Sequence, residues 1–187
     1  MLIRILAFLL ETLFFLLIAA ALLRAWMNGV RVNMTAQPGK FVMALTDWIV
    51  KPLRRTLPAR FVKSKIDWAS LLAATALALI YALLWSLVFG VLMGVAHWMP
   101  GVESLLTLII FAAKMLLKFA LQTAMLVVFV FVVLSWVQPG SPLYSTLGRL
   151  TDPLLVPLRR VIPTLGGVDL SALVLILMLQ VGLMVVN

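Results

Sequence analysis

Residues 69–96 run for twenty-eight positions without one charged side chain. At 1.5 Å per residue an α-helix of that length reaches about 42 Å, more than the ~30 Å hydrocarbon core of a bilayer. Such a stretch confines the chain to few folds, because backbone groups in hydrocarbon must find their hydrogen bonds inside the protein. Three other stretches read in the same way. Residues 5–23 are apolar apart from Glu11 and Thr12, residues 170–186 form a seventeen-residue apolar segment, and residues 104–137 are apolar but too long for one crossing. A mean hydropathy of +1.20, with 65% hydrophobic and 11% charged residues, lies outside the range of soluble domains. A signal peptide competes for residues 5–23, since Ala19 to Ala21 offers a small-residue cleavage site, but Glu11 in mid-stretch is foreign to such a segment.

The second constraint is internal duplication. TDWIVKPLRRTLP at residues 46–58 returns as TDPLLVPLRRVIP at residues 151–163, an offset of 105, with seven of thirteen positions identical. Superposing Trp26 on Trp136, an offset of 110, puts Arg4 opposite Lys114 and Glu11 beside Gln122. That alignment starts the third span near Met115 and leaves residues 104–113 as either an interfacial lead-in or a helical extension. The first repeat then covers residues 1–103 with spans at about 5–27 and 67–96. The second covers residues 104–187 with spans at about 115–136 and 168–187.

Two crossings return the chain to its starting side, so both motif loops face one compartment and the repeats insert the same way up. Charge selects that compartment. Residues 28–66 carry eight Lys or Arg against Asp47, and the later connection carries Arg149, Arg159 and Arg160 against Asp152. The connection at residues 97–103 has none, so both motif loops are predicted cytoplasmic and both termini periplasmic, with Arg4 mildly opposed. The expected fold is an all-α integral membrane protein of four transmembrane helices, arranged as two parallel-oriented two-helix repeats. Each repeat has a cytoplasmic amphipathic segment, interfacial or re-entrant.

The motif itself reads as that segment. Pro142, Leu143, Leu147, Leu150 and Leu154 follow helical spacing, and Phe41, Leu45, Trp48 and Ile49 form an apolar face in the first copy. Asp152 before Pro153 reads as an N-cap with proline at the first helical position, which predicts a new short helix from Leu154. The paired arginines, Arg54 with Arg55 and Arg159 with Arg160, point about 100° apart on a helix. One of each pair can reach a lipid phosphate while its neighbour turns to a carboxylate. Asp47 and Asp152 lie upstream as candidate partners, and Asp67 and Asp169 at the mouths of spans two and four are nearer once the chain turns. The plainest role of these arginines is to fix topology and hold anionic phospholipid.

Glu11, Lys114, Lys118 and Gln122 are the polar residues expensive to place within the spans. The last three lie at i, i+4 and i+8 on one face, where a pair between Glu11 and Lys118 would let both stay charged. A staple, snorkelling lysines and an ion pathway are all compatible with them. Gln180 reads as a helix-packing contact, and Gly90 with Gly94 as a weak close-packing signal. Tryptophans near span ends form an aromatic belt. The net charge of +9 is clustered beside apolar spans, which favours an anionic leaflet over nucleic acid. With no cysteine and one histidine, His97, the chain offers no thiolate, metal or haem site, and no catalytic motif is present. The sequence predicts no cofactor and no enzyme.

The duplicated motif, GGVDLSAL at residues 166–173 and LSW at residues 134–136 resemble the YggT family of bacterial inner membrane proteins over nearly the whole chain. The first half departs by five extra residues before Thr46, three before Asp67, and IDWAS in place of VDLSA. The resemblance implies a multi-pass protein with no established catalytic residue and proposed links to osmotic or ion stress, with relatives connected to membrane cytochrome assembly in plastids and to division or nucleoid organisation. Two functions are therefore expected: ion or osmotic homeostasis, through a homo-oligomer if there is a pore, or a scaffold for other inner membrane proteins.

Overall fold

The computed structural model describes residues 2–58, 61, 64, 66–92, 102–162 and 169–186. Among these it is all-α, with six helices: α1 (Leu2–Gly29), α2 (Gly39–Thr56), α3 (Trp68–Leu92), α4 (Val102–Val137), α5 (Pro142–Arg159) and α6 (Leu170–Val186). Helices α1, α3 and α4 are long and apolar enough to cross a membrane. The chain is thus a multi-pass membrane protein. Helix α6 is equally apolar but, at 17 residues, shorter.

Helices α1, α2 and α3 pack pairwise against one another, and so do α4, α5 and α6. Contacts of α4 with α1 and α3 join the two groups. Two apolar clusters fill them. Phe14, Ile18, Val50, Ala74 and Tyr81 belong to the first, where Phe119 of α4 also enters. Val128, Phe131, Leu147 and Leu155 belong to the second, which takes in Met27, Val32 and Val42 from the first group. Each cluster therefore borrows side chains across the boundary.

The close contact between α1 and α3 has a plain cause. Ser70, Ala74, Ala78 and Ala82 recur every four residues and are 0–1% exposed, so one face of α3 is small enough for another backbone to approach. Gly94 lies outside the described residues, as do His97, Pro163 and the end of span two.

Of the two readings of residues 104–113, the helical extension holds, since α4 is continuous from Val102. Another expectation changes. No new helix starts at Leu154: α5 runs unbroken through Asp152 and Pro153. Its N-cap is Ser141, whose hydroxyl oxygen accepts from the Tyr144 amide, with Pro142 in the first turn. The Asp–Pro signature was therefore the second of two helix starts in one segment, and the upstream one prevails. Continuing the helix keeps Leu147, Leu150, Thr151 and Leu155 buried on one face, whereas a break at Asp152 would swing Leu155 out.

Candidate functional site

The motif forms an elbow between helices. In the first copy, Val42, Thr46 and Val50 are the buried residues one turn apart on α2, and in the second Leu147, Thr151 and Leu155 are their equivalents on α5. The two threonines behave alike. Thr46 Oγ1 donates to the Val42 carbonyl at 2.7 Å and Thr151 Oγ1 to the Leu147 carbonyl at 3.0 Å. Each hydroxyl is satisfied within its own helix, which lets it sit in the core.

At the far end of each amphipathic helix, the first arginine of the pair reaches the aspartate that opens the next apolar helix. Arg54 Nη2 lies 3.0 Å from Asp67 Oδ2. Arg159 places Nε at 2.8 Å and Nη2 at 2.6 Å from Asp169 Oδ2. The same aspartates cap the N-termini they precede: Asp67 Oδ1 accepts from the Ser70 amide and Asp169 Oδ1 from the Ser171 amide, and each serine hydroxyl donates to the same carboxylate. Burial pushes both carboxyls up, but the serine hydrogen bonds and the arginines outweigh it and hold them below the ordinary carboxylate range. One carboxylate thus fixes a helix start and the angle of the preceding helix.

The first elbow is the more heavily built. Arg24 of α1 is 5% exposed and donates through Nη1 to Thr46 Oγ1 at 2.8 Å and Asp47 Oδ1 at 2.9 Å. Lys51 reaches the other Asp47 oxygen at 2.7 Å. The Lys51 hydrogen bond, against some burial, and then Arg24 lower the Asp47 carboxyl. Asn28 adds an amide donor to Asp67 Oδ2 at 2.5 Å. Position 134 in the second half, opposite Arg24, is leucine. Asp152 is accordingly 53% exposed, with Arg159 at 3.6 Å.

Arg55 and Arg160 behave differently from their neighbours. Both are exposed, and among the described residues neither guanidinium has a partner. Arg55 lies two turns from Trp48, nearly above it on the helix, and Trp48 and Phe41 are 60% and 61% exposed. Helix α2 therefore has two sides: a buried one through Val42, Thr46 and Val50, and an exposed one on which apolar Phe41 and Trp48 lead along one line to basic Arg55, with Lys51 beside them. A helix of this kind suits the boundary between hydrocarbon and headgroups.

Within the spans, Lys118 Nζ lies 2.9 Å from Glu11 Oε1. Lys114, one turn earlier, is exposed and has no partner among the described residues. Gln122 does not join the pair but lines a cleft of about 650 Å³ between α1, α4 and α6, with Glu11, Thr12 and Gln180. Gln180 therefore faces this cleft. No cluster of three or more His, Cys, Asp or Glu side chains stands ready for a metal among the described residues.

Sequence reasoning missed Arg24, Asn28 and the threonines. Thr46 and Thr151 were visible as matched positions of the repeat, and the matched arginines overshadowed them. Arg24 stood at the end of an apolar run where a topology charge is expected, so its burial had no local signal.

A family model described as CCB3/YggT matches residues 2–88 and 105–187, two segments consistent with tandem units. Over 181 residues, 94% of this chain and 86% of the relative, the sequence is 38% identical to the Escherichia coli K12 protein called uncharacterized protein YggT. It is 35% identical over 176 residues to an uncharacterized protein in the proC 3' region of Vibrio alginolyticus, covering 93% of this chain and 89% of that one. It is also similar to an uncharacterized Pseudomonas aeruginosa protein, at 30% identity over 96% of this chain and 87% of the relative. No solved structure matches it.

Proposed function

The chain belongs to the CCB3/YggT family, and on that premise we propose that it is a non-enzymatic bacterial inner membrane protein that grips anionic phospholipid from the cytoplasmic side and serves osmotic or ion homeostasis. Its α1, α3, α4 and α6 are read as four crossings. At 17 residues α6 spans about 25 Å, enough with slight local thinning. Both amphipathic helices then lie on the cytoplasmic face, and both termini on the periplasmic one.

The observation that carries this reading is the division of labour within each arginine pair. Arg54 and Arg159 are spent on the capping aspartates, whereas Arg55 and Arg160 stay open beside them. A free guanidinium above exposed Phe41 and Trp48 has the geometry of a phosphate hook over acyl chains. Two hooks on one face make the protein responsive to lipid packing, which supports an osmotic role. The Glu11–Lys118 pair supports the ion-linked variant of the same role. A second reading, a scaffold for other inner membrane proteins or for further copies of itself, is favoured by the same exposed Trp48 and Arg55, which a protein partner could grip equally well.

The test is lipid retention. Purified protein with Arg55→Gln and Arg160→Gln should carry about tenfold less phosphatidylglycerol at moderate salt, with unchanged unfolding temperature and faster salt-induced loss. Retention equal to wild type would overturn the lipid hook. If retention is unchanged but co-purifying membrane proteins disappear, the scaffold reading replaces it.

A further inference from the structure

The cleft between α1, α4 and α6 has a composition that the lipid hooks do not use. Four polar side chains line it: Glu11 and Thr12 from α1, Gln122 from α4 and Gln180 from α6. Phe8, Phe15, Phe119 and Phe129 form much of the remaining wall. Thr12 Oγ1 donates to the Phe8 carbonyl at 2.7 Å, leaving an acceptor free. Glu11 gives one oxygen to Lys118, and the amides of Gln122 and Gln180 have no partner among the described residues. A primary amide without a partner in hydrocarbon is costly, of the order of 2–7 kcal/mol. Two of them facing one cleft are placed to meet a polar guest.

Three properties narrow the guest. Glu11 and Lys118 neutralise each other, so the cleft offers no net charge to attract a phosphate, a carboxylate or a metal ion. Glu11 lies six residues past Ile5, where its apolar stretch begins, and Gln180 six residues before Val186, where α6 ends, which sets both about 9 Å inside the apolar spans. That is a depth charged headgroups do not reach. The phenylalanine walls favour a flat ring over a flexible glycerol, since rings gain from offset or edge contacts. At about 650 Å³, the cleft is of the size that encloses one small ligand. Exposed Phe8 and Leu126 leave its side open to the bilayer, so a tail can extend into lipid.

We propose that the cleft binds an uncharged, ring-headed membrane lipid of the quinone class, its ring oxygens accepting hydrogen bonds from Gln122 and Gln180. This rests on the four-span reading above, which places α6 in the bilayer. The probe is decylubiquinone, titrated into protein held in phosphatidylcholine nanodiscs and read by thermal shift. Wild type should show a saturable rise in unfolding temperature. Gln122→Leu with Gln180→Leu should bind about tenfold more weakly, with a ligand-free unfolding temperature at or above wild type because two unpaired amides have gone. No saturable shift, or equal shifts in the two proteins, overturns the proposal. Dioctanoylglycerol competing as well as the quinone overturns the ring assignment. A Met125→Cys disulfide between copies that blocks the cleft without quinone ever binding would make it a helix-packing seam and also overturn it. Failure here leaves lipid retention by Arg55 and Arg160 untouched. Cysteine labelling of Ser145→Cys and Asn187→Cys from opposite sides separately tests the four-span premise.

Discussion

Equivalent residues of the two elbows do unequal work, and Asp47 and Asp152 show it best. Both stand at the second position of the repeated motif. Asp47 is gripped by buried Arg24 and by Lys51, whereas Asp152 is largely exposed beside Arg159 at 3.6 Å. Removing Asp47 strands a guanidinium whose side chain is only 6% exposed and whose Nε already lacks a partner among the described residues. Asp47→Ala should therefore destabilise by about 2 kcal/mol, less than for a fully buried pair because the carboxylate is partly solvated. Asp152→Ala should stay within about 0.5 kcal/mol. Both changes introduce the same good helix former, so propensity cancels in the comparison. Equal losses in chemical or thermal unfolding of purified protein would show that Arg24 does not depend on Asp47.

At the scale of the helix, the small-residue face of α3 and the caps of the amphipathic helices decide how elements meet. Ala78 is 1% exposed in the α1–α3 contact, so Ala78→Leu forces an extra isopropyl group between two backbones. It should cost about 1–3 kcal/mol, while Leu79→Ala on the exposed side should cost far less. Unfolding in detergent would measure both, and parity between them would deny that this contact is tight. The apolar helices were legible because an uncharged run as long as residues 69–96 has few alternatives. The α3 face was not, because alanines at 74, 78 and 82 stand among alanines and leucines on every side, and only the partner helix singles out one row. Pro153 misled for a different reason: a proline after aspartate starts a helix only if none is already running. Arg31 was also silent in sequence. It takes φ 58° and closes α1, with the Val32 amide donating to Met27 and the Arg31 amide to Asn28, a terminus where glycine is usual. Buried Met27 and Val32 supply the hydrophobic contact that holds it there.

Across the whole molecule, duplication supplies two elbows, and α4 together with borrowed side chains makes them one body. Phe119 of the second half sits in the first cluster, Met27 and Val42 of the first sit in the second, and Arg149 reaches the Arg31 carbonyl at 3.4 Å. Loosening either elbow should therefore be felt in both halves. Acid provides the test, because the carboxylates of Asp47, Asp67 and Asp169 are all held below the ordinary range. Their native forms stay ionised where the unfolded chain begins to bind protons near pH ~4. The stability they contribute is complete above that value and is lost as pH falls through the lower native values. Unfolding temperature should be level from pH 8 to about 5 and fall below about 4. Asp67→Asn with Asp169→Asn should start lower at pH 7 and fall less steeply in acid, since two of the three groups no longer titrate. The acid transition should remain a single step by tryptophan fluorescence, with Trp26 and Trp68 in the first half and Trp136 in the second. Two steps assigned to different halves would mean that the shared cluster residues do not couple the repeats, and a decline already present between pH 8 and 6 would mean that these carboxylates do not set the profile.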